Sequence, residues 1–89
     1  LMKVVINTTW GGFSLSTAGE DELLRRGAHT ADPWDISRTD PILVQMIEED
    51  ADRYGNGSLA VVEVPDDVQW HIHDYDGREH VAENHRIWQ

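Results

Sequence analysis

Val68-Gln69-Trp70-His71-Ile72-His73-Asp74-Tyr75-Asp76-Gly77-Arg78-Glu79-His80-Val81-Ala82 is the stretch whose reading decides the fold. Apolar residues fall at every second position in its first half, at Val68, Trp70 and Ile72. A period of two marks a strand with one buried face. Asp76-Gly77 then supplies two residues that tolerate positive φ, the requirement of a type I′ hairpin turn. With those two as the loop, Tyr75 faces Arg78, Asp74 faces Glu79, His73 faces His80 and Ile72 faces Val81. His71, His73, Tyr75, Arg78, His80 and Ala82 then share the opposite side. A slip of one residue would scatter them, so the grouping rests on the Asp-Gly turn. Trp70 is assigned to the core, where its replacement by Ala is expected to cost roughly 3–5 kcal/mol.

Upstream, Leu59 to Val64 reads as another strand, ended by Pro65-Asp66-Asp67. Lys3-Val4-Val5-Ile6-Asn7-Thr8 is a β-branched run, apolar at consecutive positions. Such a run predicts a strand buried on both faces, in the middle of a sheet. Gly11-Gly12 follow it, but neither G-x-G-x-x-G nor a P-loop pattern is present. A turn that packs Trp10 and Phe13 on the core is expected there, rather than a phosphate cradle.

Two helices are expected between these strands. Thr17-Ala18-Gly19-Glu20 has capping-box spacing, with Ser16 as the alternative cap. Arg25 and Arg26 suit the last turn, and Gly27 the stop. The second helix begins at Asp40-Pro41, a cap followed by proline at the first helical position. Leu43, Met46, Ile47, Asp50, Ala51 and Tyr54 are placed on its inner face, with Glu48, Glu49 and Asp52 mainly elsewhere. Gly55-Asn56-Gly57 ends it. Asp32-Pro33-Trp34-Asp35 reads as a turn, with Trp34 either tucked onto the core or exposed as an aromatic anchor. The closing Ile87-Trp88 is too apolar for a free tail and is expected to fold back or to dock on a partner. The predicted architecture is α+β, in the order β-α-α-β-β-β, a small mixed or antiparallel sheet with two helices on one face. The other face would stay partly open, as a dimer or partner surface.

Eighty-nine residues form one domain by length. Without cysteine there is neither a disulfide framework nor thiolate chemistry. No apolar run reaches the ~20 residues of a membrane span, and no signal-like segment precedes the first strand. A soluble, cytoplasmic protein is therefore expected. Leu1 ahead of Met2 reads as an added residue or an upstream extension. The net charge is −10, and residues 31–57 and 58–89 each carry seven acidic against two basic side chains. That field repels phosphates, so direct nucleic-acid binding is not expected. Mimicry of a nucleic acid, by Glu48, Glu49, Asp50, Asp52, Asp66 and Asp67, is compatible with it.

Two kinds of site are raised by side-chain chemistry. His71, His73 and His80, with Asp74 or His85 nearby, could approach a His₃ set for a divalent metal with an open water position. That is the basis for a metal-binding or metal-dependent hydrolase reading. A Ser/His/Asp triad from Ser14 or Ser16 and His85 has no supporting motif. The competing class is a non-enzymatic binding protein. Tryptophans at 10, 34, 70 and 88 exceed the needs of a core this size, and aromatic residues are enriched at binding hot spots. Partner-binding is assigned on this reading to Trp34, Glu48, Glu49, Asp52 and Trp88.

Several segments, in order, resemble a group of small bacteriophage- and prophage-encoded proteins to which no activity is assigned. They are Lys3 to Thr8 with Gly11-Gly12-Phe13 and Leu15-Ser16; Arg38-Thr39-Asp40-Pro41-Ile42-Leu43-Val44; Val62 to Val68 with Trp70; Tyr75-Asp76-Gly77; and His85-Arg86 with Trp88. Ser14 stands where that pattern has glycine, and His71, His73 and His80 lie outside it. The resemblance implies a phage context and, through it, docking on a host or defence protein. It implies nothing about a reaction.

Overall fold

The computed structural model describes residues 1–84, so the expectations for His85 and Trp88 fall outside the described residues. Its elements are β1 (Met2–Asn7), α1 (Thr17–Arg25), α2 (Pro41–Gly55), β2 (Leu59–Val64), β3 (Trp70–Tyr75) and β4 (Arg78–Glu83). This is the α+β order expected, with both helices against one face of β-structure. The strands form two separate antiparallel ribbons, β1–β2 and β3–β4, rather than one sheet. The hairpin register is the one set by the Asp-Gly turn, with His73 opposite His80 and Tyr75 opposite Arg78. Asp76 and Gly77 have φ of 52° and 86°.

The result is three layers. Val5 and Leu59 join Leu23, Leu43, Met46 and Ile47 in a core between the β1–β2 ribbon and the helices. Val4, Ile6 and Val64 form a second core against Trp70, Ile72 and Val81 of the hairpin. β1 is thus buried on both faces, but because it lies in the middle layer and not in the middle of a sheet. The face expected to stand open is covered by the chain's own hairpin.

The outer edge of β1 is closed without a third strand. The Val5 amide donates to the Arg38 carbonyl at 2.8 Å, and Arg38 Nη1 donates back to the Val5 carbonyl at 3.2 Å. The Asn7 amide donates to Glu79 Oε1 at 2.8 Å. Backbone groups left bare in a buried strand are costly, and here a loop arginine and a hairpin carboxylate take that role.

The helices follow their sequence signals with two corrections. Ser16, not Thr17, caps α1: its Oγ accepts from the Gly19 amide at 2.9 Å and donates to the Arg53 carbonyl at 2.6 Å. The α1 C-terminus closes with two further backbone bonds, Gly27 to Leu24 at 3.0 Å and Ala28 to Leu23 at 3.1 Å. With φ of 98° at Gly27, this is a Schellman motif. In α2, Asp40 Oδ1 accepts from the Ile42 and Leu43 amides, as expected of an N-cap. Asp50, however, is exposed and leaves helical geometry at φ −159°, ψ 84°. Its carboxylate accepts from the Arg53 amide at 3.1 Å, so it caps a short final segment instead of facing the core.

Candidate partner-binding surface

β1 ends at Asn7, a fully buried polar residue that ties two loops together. Its Nδ2 donates to the carbonyls of Thr9 at 2.7 Å and Gly77 at 2.6 Å. The turn at Gly11-Gly12 therefore packs directly on the hairpin tip. A Cβ at Gly77 would lie 2.2 Å from the Gly12 amide nitrogen, so only glycine fits there.

This interlock sets the position of the exposed aromatics. Trp10 and Tyr75 meet edge to face, with ring centroids 6.0 Å apart and planes at 62°. The Arg78 guanidinium lies 5.9 Å from the Trp10 ring centre. Trp10 stays 59% exposed and Tyr75 66%, which corrects the expectation that Trp10 packs on the core. The core position of this turn goes to Phe13 alone, half-buried against the helical core, with the Arg38 guanidinium 3.7 Å above its ring. The rings and Arg78 border a surface depression of about 470 Å³ with Thr8 and His80.

Trp34 stands on the other side of the same turn, 96% exposed. Asp32 sets it there: its Oδ1 accepts from the Trp34 amide at 2.9 Å, and its carbonyl accepts from the Ile36 amide at 2.9 Å. Ile36 takes the core place, leaving Trp34 to solvent. Trp34 borders a cleft of about 250 Å³ whose lining includes Gly11, Gly12, Phe13 and the Arg38–Glu79 pair. Of the two readings for Trp34, the exposed one describes its position.

The acidic residues assigned to binding sit elsewhere and are partly engaged. Glu48 pairs with Lys3 at 2.7 Å. Glu49 accepts two hydrogen bonds from Arg26, at 2.8 and 3.0 Å, and that contact holds its carboxyl below the usual range. Arg25 and Arg26 together hold Glu22 at about 2. Asp52 is exposed.

His71, His73 and His80 are all exposed on the outer hairpin face, where the register placed them. The structure pairs His73 with His80, ring centroids 4.8 Å apart, while His71 Nδ1 bonds to Asn84 Oδ1. Among the described residues no group of three His, Asp or Glu side chains is placed to hold a metal. The expected three-histidine set is therefore not assembled among them. Ser16 is likewise unavailable as a nucleophile, because its hydroxyl is consumed by the α1 cap and the Arg53 carbonyl.

The inward carboxylate of the hairpin escaped sequence reading. Glu79 and Arg38 form a two-pronged ion pair, Nη1 to Oε1 at 2.7 Å and Nη2 to Oε2 at 2.9 Å. A signal was present, since Glu79 falls on the same side as Ile72 and Val81. Its partner, 41 positions upstream in a loop, had none.

The class these features define is a small layered α+β protein with an aromatic, arginine-bearing end and no helix, among the described residues, long and apolar enough to cross a membrane. No protein-family model, curated protein or solved structure matches the chain.

Proposed function

We propose that this chain is a non-catalytic interaction protein, phage-encoded, that docks on a host or defence protein in the bacterial cytoplasm. The observation that carries the reading is the exposed Trp10–Tyr75–Arg78 cluster, with Trp34 across the glycine turn. Trp, Tyr and Arg are the residues most enriched at energetic hot spots of protein interfaces. They stand here on a preorganised base: the Asn7 bonds and the Gly77 close approach limit the ordering cost of binding. The resemblance to phage-encoded proteins supplies the context. The interface is proposed to centre on Trp10, Tyr75, Arg78 and Trp34, and the acids Glu48, Glu49 and Asp52 contribute steering more than grip.

The test is capture of partners by the tagged protein from bacterial lysate, at low and high salt, beside a Trp10→Ser/Trp34→Ser variant. A partner held through high salt by the wild type and lost by the variant is the expected result. Circular dichroism would show the variant folded. A partner kept by that variant, but lost on reversing Glu48, Glu49 and Asp52 to Lys, would transfer the interface to α2. Such binding would also fall steeply with salt.

A further inference from the structure

Asp74 and Glu79 stand directly opposite each other in the hairpin ladder, so their side chains share its inner face. Like charges at such a pair repel. Arg38 relieves only one of the two. Its Nη1 and Nη2 are taken by the two Glu79 oxygens, and Nη1 also by the Val5 carbonyl. Asp74 is exposed, and its Oδ1 accepts from the Gly77 amide at 2.7 Å. Among the described residues no cation pairs with it.

Asp74 lines the cleft of about 250 Å³ that Trp34 borders. Pockets for drug-sized molecules run to roughly 300–1,000 Å³, so this one suits a single side chain better. Its Gly11-Gly12 wall carries no side chains, and a Cβ at either position would meet nothing within 4 Å. Trp34, 96% exposed, offers a bare ring. Asp32 and Asp35, both exposed, add negative charge on the same turn as that ring. Arg78 belongs to the depression across the glycine turn, beside Trp10.

We infer that this cleft receives an arginine side chain of the partner protein, its guanidinium on the Trp34 ring and its donors on the Asp74 carboxylate. The inference rests on the reading of Trp34 as part of a protein interface, and it names the chemistry that Trp34 meets there. Charge selects the occupant. The one cation of the cleft, Arg38, is already spent on Glu79, so an added cation finds Asp74 uncompensated. It would also end the repulsion that Arg38 leaves. A carboxylate or phosphate in the same place would add to that repulsion. Arginine fits better than lysine, because a planar guanidinium stacks on an aromatic face while its N–H groups reach a carboxylate. The net charge of −10 favours the approach of a basic partner.

The probe is a tripeptide, Gly-Arg-Gly blocked at both ends, set against the same peptide with citrulline, which keeps the shape and loses the charge. Binding to the full chain would be followed by nuclear magnetic resonance, at the Trp34 indole N–H and the Asp74 amide. Saturable binding in the roughly millimolar range is expected of a single side chain. Asp74→Asn keeps an acceptor for the Gly77 amide and removes the charge. That variant and Trp34→Ser should each weaken binding at least about fivefold. Both residues are exposed, so both variants are expected to stay folded, which their amide spectra would show. Equal binding of the citrulline peptide would overturn the inference. So would an unmoved Trp34 indole, or shifts spread equally over Glu48, Glu49 and Asp52, the mark of general charge attraction. Capture of a Trp10- and Trp34-dependent partner from lysate, beside an unmoved indole, would remove this inference and leave the interface reading standing. Peptide binding in the cleft with no captured partner would do the reverse.

Discussion

Glu79 is the carboxylate on which the packing of the hairpin turns. Burial pushes its carboxyl up, but the Arg38 hydrogen bonds, the Asn7 amide and the Arg38 charge pull it down, and the balance is downward. A folded value below the unfolded one means the pair's stabilisation is fully present above the ordinary carboxylate range. It is lost as pH falls through the folded value. Urea unfolding at about pH 7 and about pH 3 should show a larger loss for the wild type than for Glu79→Gln. Equal losses would remove the pair from the account of acid sensitivity. At neutral pH, Arg38→Ala should cost about 3 kcal/mol or more, because it leaves a buried charge without its partner. Gly19 makes the second residue-scale prediction. A Cβ there would sit 2.2 Å from the Tyr54 carbonyl oxygen. Gly19→Ala should therefore destabilise by roughly 1–3 kcal/mol, although alanine is the better helix former. A more stable variant in thermal melts would show that α1 can move away from α2.

At the scale of elements, the helix starts and the hairpin were legible because their causes are local. Asp40 accepts two amides at the start of α2, and Asp40→Ala should cost about 1 kcal/mol in urea unfolding. The hairpin register follows from Asp76-Gly77 and the alternation of Val68, Trp70 and Ile72. Trp70 is half-buried and not fully enclosed, since it also borders a surface groove of about 380 Å³ beside Val62 and Val81. Its replacement by Ala is accordingly expected to cost roughly 2–3 kcal/mol, below the range for a fully buried aromatic. A change near zero would mean that the second core gains little from the hairpin. The Asp50 break was not legible. Its side chain could as well have continued the helix, and capping the Arg53 amide is a choice made alongside the docking of α1 on the α2 C-terminus.

For the whole molecule, charge and packing act in opposite senses. Among the described residues, five side-chain ion pairs link acids to Lys3, Arg25, Arg26 and Arg38, yet the chain keeps a net charge of −10. Exposed pairs contribute little, and salt screens self-repulsion as well as attraction. The melting temperature should therefore rise by a few degrees, about 2–4 °C, between low and about 0.5 M salt. A fall would mean that the pairs outweigh the repulsion.

Local chemistry written in the chain was enough for the element order, the caps of α2, the type I′ turn and the alignment of three histidines on one hairpin face. Each depends on neighbours within a few positions, through backbone preference or period. The tertiary structure alone decided how the ribbons stack, that β1 lies in a middle layer, and that Trp10 stands out while Phe13 turns in. It also decided that Arg38 meets Glu79. Those outcomes depend on contacts between residues tens of positions apart, where which face is covered is set by what the rest of the chain leaves to bury.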